Sequence, residues 1–271
     1  MIDPFWSLYF TLLTFLFGAC IGSFLNVCIY RIPREESIVH PRSHCPSCNQ
    51  LIAWYDNLPM LSYFFLRGRC RHCQTVISPR YALVEMLTAV LFLAVWNTYG
   101  ADPRTLVYLV MVSGLILGTF VDLEHYIIPD RVSLGGMATG LLFSALVPSL
   151  HGETEVGPAL ASSVLGLVAG SGVLFLVAEA GRLIFKKDAM GLGDVKLLGG
   201  IGAYLGWPAV VFTILVSSLL GSVIGVALIL CGKREWQSRL PYGPFLAVGA
   251  GSWVLGGRHL WDWYISWIMG G

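Results

Sequence analysis

Long runs of apolar residues, broken by short polar stretches, recur along almost the whole chain. They lie near residues 5–30, 81–99, 105–121, 132–150, 158–184, 208–231 and 241–268. A helix crossing a bilayer core needs roughly 20 such residues at about 1.5 Å rise each, so each run is a candidate span. A weaker run at about 193–207 is short, holds five glycines and includes Asp194 and Lys196. Counting it predicts about eight transmembrane helices. Only 31–80 is a long soluble stretch. The pattern thus predicts an all-α polytopic membrane protein in three parts: a first transmembrane helix at 1–30, a loop domain at 31–80 and a transmembrane bundle at 81–271. The first run lacks a basic n-region, carries Asp3 and is too long for a cleavable h-region, so it is expected to be a retained span.

Composition supports this reading: 56% of residues are hydrophobic and only 12% charged, against about 25% charged in ordinary soluble domains. The 31 glycines and 13 prolines lie within apolar runs, where small residues let membrane helices approach closely. A formal charge of +1 gives no reason to propose a nucleic-acid partner. Of 17 Lys and Arg residues, the segments 31–80, 122–131, 182–196 and 232–240 hold 7, 1, 4 and 3, leaving only Arg104 and Arg258. Since Lys and Arg concentrate in cytoplasmic loops, these four segments are expected on the cytoplasmic side and both termini outside. The 193–207 run is needed to keep 232–240 there.

The 31–80 loop contains Cys45-Pro-Ser-Cys48 and Cys70-Arg-His-Cys73. Two Cys-x-x-Cys knuckles at this spacing resemble a zinc ribbon, in which four thiolates close a structural tetrahedral site. Bound metal would supply much of the folding free energy of so small a segment. Two disulfides are the alternative, disfavoured in a reducing cytoplasm. His44 and His72 flank the knuckles as substitute ligands or solvated surface residues. Cys20, Cys28 and Cys231 lie within or at the ends of runs and read as packing residues.

Ionisable groups in membrane segments are functional candidates by default. Asp122 closes the third run and Asp194 opens the weak one in Gly191-Leu-Gly193-Asp194-Val-Lys196. The orientation places both at the cytoplasmic face. Two carboxylates brought close cannot both ionise easily, so one keeps a proton while the other acts as a base, which suits peptide hydrolysis at a membrane boundary. Gly191 and Gly193 would let an extended substrate backbone approach, and Lys196 either tunes Asp194 or snorkels. The plainer reading is helix termination: Asp is common at N-caps, although an acid at a helix carboxyl end opposes the macrodipole, which sets Asp122 apart. Capping is the expectation for Asp130.

Taken together, Gly22-Ser-Phe-Leu-Asn-Val-Cys-Ile-Tyr-Arg-Ile-Pro33, both cysteine pairs, Asp56-Asn-Leu-Pro-Met-Leu-Ser-Tyr63, Leu66-Arg-Gly-Arg-Cys70, Arg80-Tyr81, Val84-Glu85, Asp122 and Gly-x-Gly-Asp194 resemble the bacterial type IV prepilin peptidases. These are bifunctional leader peptidases and N-methyltransferases of pilus assembly and type II secretion, in the inner membrane. The resemblance covers most of the chain and departs at Ala82, where proline is common. It implies Asp122 and Asp194 as the catalytic pair, with Asp130 in the motif but not catalytic. It also implies prepilin or pseudopilin substrates cleaved after a glycine, and methylation of the new amino terminus by S-adenosylmethionine. No nucleotide-type glycine fingerprint marks a donor site, so the residues binding that cofactor are left unassigned, as is the oligomeric state. A transporter using the same aspartates would place them near the bilayer midplane. A non-catalytic assembly platform with a zinc-stapled loop would tolerate their loss. The loop arginines suggest contact with membrane lipid, or ordinary positive-inside topology. The tail His259–Trp267 reads as an interfacial anchor.

Overall fold

A computed structural model describes residues 4–186, 190–232 and 240–268. Most of the basic segment 232–240 therefore falls outside the described residues. Two compact units divide after Thr105.

The first unit joins helices α1 (Pro4–Arg31) and α3 (Arg80–Tyr99), with the cysteine loop and a short helix α2 (Leu61–Phe65) between them. Gly18 and Gly22, one turn apart on α1, make the close approach possible. A Cβ at Gly18 would lie 2.8 Å from the Cα of Ala89, and one at Gly22 would lie 2.7 Å from that of Glu85. Rising numbers on α1 meet falling numbers on α3, so the helices are antiparallel and the loop leaves and returns at one end. The segment 81–99, grouped above with the bundle, thus packs on α1: small residues at four-residue spacing choose their partner through backbone fit, which hydropathy does not encode.

The second unit contains α4 (Pro103–His125, from Leu106 on), α5 (Asp130–Leu146), α6 (Val156–Phe185), α7 (Leu192–Leu205), α8 (Trp207–Leu230), α9 (Gly243–Ser252) and α10 (Arg258–Ile268). Among the described residues, only α1, α3, α4, α6 and α8 are long and apolar enough by themselves to cross a bilayer. The expectation of eight spans counted three further segments. Of these, α5 has 17 residues and α7 has 14, and 241–268 is broken by a π-turn at Trp253–Gly257, where Gly256 takes φ 141°. Helix α7 is short and glycine-rich, and protein surrounds it: every residue from Leu197 to Leu205 is buried. Gly166 and Gly170 of α6 lie directly on the backbone of Gly202, Leu198 and Gly199. Hydroxyls of Ser163 and Ser144 donate to the Ala203 carbonyl at 2.6 and 3.2 Å.

Gly202→Leu should lower stability by about 3 kcal/mol, the upper range for overpacking a core. Gly135→Ala, whose added carbon meets nothing within 4 Å, should leave the thermal midpoint in detergent unchanged or slightly raised. Equal midpoints for the two variants would refute this packing. At the end of the bundle carrying the His151 loop, the His151 Nε2 lies 2.8 Å from Ser144 Oγ. Burial, then the Arg258 charge, pushes its pKa down. A histidine whose folded pKa is depressed destabilises the fold once the unfolded chain protonates. Stability should therefore be full above about pH 6.5 and decline as pH falls below it. In His151→Gln that part of the pH dependence of the melting temperature should disappear.

Candidate active site and metal centre

The two cysteine knuckles have the same local build. In the first, the Cys45 N–H donates to Gln50 O and the Asn49 N–H to Cys45 O, at 3.0 and 2.8 Å. In the second, Cys70 N–H donates to Thr75 O and Gln74 N–H to Cys70 O, at 2.9 and 3.0 Å. Asn49 and Gln74 both take left-handed backbone, at φ 56° and 58°, turning each chain back so that its two thiols point the same way. The four Sγ atoms lie within 4.8 Å of one another, and none is in a disulfide. Cys45 Sγ and Cys73 Sγ are 3.8 Å apart. A tetrahedral thiolate site with Zn–S bonds of about 2.3 Å has S···S edges of about 3.8 Å, so this donor set fits such an ion. Hydrogen bonding from Thr75 pulls the Cys73 thiol down to about 6, which makes a thiolate ligand available at neutral pH. His44 and His72 are not in the cluster; His44 Nδ1 lies 3.1 Å from Arg42 O.

Two arginines build the loop. Buried Arg31 donates to the carbonyls of Ser37 and Pro41 at 2.9 and 2.8 Å. Arg71 forks onto Asp56, Nε to Oδ2 at 2.7 Å and Nη2 to Oδ1 at 2.5 Å, and holds that carboxyl below the usual carboxylate range.

In the second unit, Asp122 occupies the last turn of α4 and is 5% exposed. Tyr126, at φ 56°, ends the helix, with its N–H on Asp122 O at 2.9 Å. Pro129 then disfavours helix at Ile128 and the chain runs on to α5. Asp122 Oδ2 accepts the Gly243 N–H at 3.0 Å. Gly243 is the first residue of α9, where free amides and the helix dipole favour an anion. A Cβ on Gly243 would sit 2.8 Å from that oxygen and 3.1 Å from Ile128 Cδ1, so any larger residue would push the carboxylate from its place.

Asp194 stands in the first turn of α7, its N–H on Gly191 O at 3.2 Å. Its Oδ1 is buried and meets no hydrogen-bond partner among the described residues. Asp122 is close enough for its charge to act on Asp194. Buried Ile128 lies between their supports: added carbons on Gly193 and Gly243 would come 3.0 Å from its Cβ and 3.1 Å from its Cδ1. Gly193 therefore makes room for Ile128. Gly191 is exposed, and a Cβ there would lie 3.4 Å from Asp194 Oδ2 and 4.0 Å from Gly193 N.

Lys196 does not reach Asp194. Its Nζ donates to Asp130 Oδ1 at 2.6 Å, tying the start of α5 to α7. Asp130 is the first residue of α5, one past the N-cap position that Pro129 holds, and its side chain pairs with Lys196. Sequence reasoning missed Gly243 and Ile128. The signal for the first was Pro241-Tyr-Gly-Pro244, a glycine wedged between prolines at a helix start.

Comparison with known families matches residues 16–99 to the bacterial peptidase A24 N-terminal domain and residues 109–226 to the type IV leader peptidase family. The chain is similar to the prepilin leader peptidase/N-methyltransferase of Aeromonas salmonicida (strain A449), at 38% identity over 97% of this chain and 96% of that protein. The protein of the same description from Aeromonas hydrophila is 40% identical, covering 96% of this chain and 94% of its own length. That from Myxococcus xanthus (strain DK1622) is 39% identical over 83% of this chain and 65% of its own. No solved structure matches the chain significantly.

Proposed function

The chain belongs to the type IV leader peptidase family, and from that premise we propose that it removes the leader peptides of prepilins and pseudopilins with Asp122 and Asp194 and N-methylates the new amino terminus. The observation carrying this reading is the meeting of two sequence-distant aspartates around Ile128, one 5% exposed and held by the start of α9, the other with an orphaned buried oxygen. Leaving a buried carboxylate oxygen unpaired is unfavourable, and a hydrolytic water is a partner that relieves it.

The chemistry follows from one shared proton. The ionised carboxylate takes a proton from water as the oxygen attacks the scissile carbonyl carbon, and the protonated partner supports the developing oxyanion. When the tetrahedral intermediate collapses, the C–N bond breaks and the leaving amine takes a proton from a carboxyl. Gly191, exposed beside Asp194, gives an extended leader its approach.

Cleavage is assigned to the second unit and methylation to the first, with zinc on Cys45, Cys48, Cys70 and Cys73 as the loop's structural staple. S-adenosylmethionine, when bound, supplies an electrophilic methyl to the new amine. With 15 of 17 basic residues in the four segments named above, the aspartates and the cysteine loop face the cytoplasm, where a basic prepilin leader lies. The test is a purified chain in liposomes with a prepilin, the product read by mass spectrometry for loss of the leader and gain of one methyl. An intact prepilin from a folded, zinc-loaded preparation would sink the peptidase reading.

A further inference from the structure

A cavity of about 390 Å³ opens inside the first unit, between α1, the cysteine loop and the start of α3. That volume lies within the range of about 300–1,000 Å³ typical of small-molecule sites. Two of its buried polar groups, Asn26 Oδ1 and Glu85, are acceptors. Asn26, 2% exposed, spends its Nδ2 on Tyr81 O at 2.9 Å, while its Oδ1 meets no donor among the described residues. Buried Glu85 accepts the Met60 N–H at 2.6 Å, which pins the loop over the cavity. Both arginines of the wall are already occupied, Arg31 by two carbonyls and Arg71 by Asp56, so a phosphate or an anionic headgroup finds no free guanidinium there. Tyr30, Tyr63 and Tyr81 add aromatic surface.

A carboxylate, an orphaned amide oxygen and aromatic walls suit a ligand that is positively charged, rich in N–H donors and partly aromatic. The methyl donor offers such groups: a sulfonium and an ammonium at its amino-acid end, a purine base at the other, and one carboxylate for which the wall holds the hydroxyls of Ser43 and Ser47. We propose that this cavity is the S-adenosylmethionine site, with Glu85 and Asn26 Oδ1 receiving the donor's charged and N–H-bearing groups. This rests on the methyltransferase reading and adds its location. It also gives the cysteine staple a purpose, because Cys45 and Cys70 line the same cavity.

Isothermal titration of the full chain in detergent with S-adenosylmethionine and S-adenosylhomocysteine tests it. Glu85→Gln, Asn26→Leu and the cavity-filling Ala82→Trp should each weaken donor binding by at least about tenfold, with zinc content and gel-filtration volume confirming folding. Ala82→Trp keeps both acceptors, so it still decides the matter if a buried variant does not fold. Wild-type binding that the folded variants leave unchanged overturns the location but not the activity. Absence of binding together with absence of methylated pilin overturns both. Variants that keep donor affinity yet fail to methylate a cleaved pilin peptide would hand the cavity to the acceptor amine and overturn the proposal.

Discussion

Asp194→Asn should reduce prepilin cleavage by about a thousandfold or more, the scale on which a general acid–base group contributes, while leaving substrate binding and folding intact. Asparagine keeps the shape of the side chain but cannot exchange a proton. Asp122→Asn should fall as far, because the amide oxygen of asparagine can take the place of Oδ2 and still accept the Gly243 N–H, so that only the proton chemistry is lost. Groups that act as a unit are not additive, so the double variant should be little slower than either single one. Initial rates on a prepilin in liposomes, with binding measured separately, decide the matter. A variant with full activity would return the aspartates to the role of helix-end residues and reopen the transporter and platform readings.

Removing the metal should act on the other unit. Apart from the Arg31, Arg71–Asp56 and Glu85 contacts, the loop has two isolated strand bridges and the four clustered thiols, and structural zinc supplies about 10–16 kcal/mol in small zinc-dependent folds. Wild type should carry about one zinc per chain. Cys45→Ser, or strong chelation, should strip it, expose 31–80 to limited proteolysis and abolish methylation of cleaved pilin. Full zinc retention in Cys45→Ser, or an unchanged proteolytic pattern, would remove zinc from the account. Cleavage by the stripped protein measures how far the aspartates depend on the loop.

Much of this was legible in the sequence, because membrane spans, Cys-x-x-Cys spacing and isolated intramembrane acids are local signals. The knuckles in particular form a four-thiol cluster from spacing alone. What hydropathy missed depends on contacts between distant segments. Helix α7 reads as a span on the charge pattern despite its shortness and its glycines, and that same composition lets α6 lie on its backbone. Lys196 stands two residues from Asp194, yet its long side chain reaches Asp130 instead. The run 241–268 reads as one mostly apolar stretch, but Gly256 at φ 141° breaks it. Nothing in the neighbourhood of Gly243 announces that its N–H meets a carboxylate 121 residues earlier.

That last contact bears on how the chain can be divided. The leader peptidase family match ends at residue 226, so a fragment trimmed to it would keep both aspartates and look like a minimal protease. It would lack the amide that holds one of them. The smallest fragment able to preserve the dyad geometry must run through α9, even though that helix contributes no acid of its own.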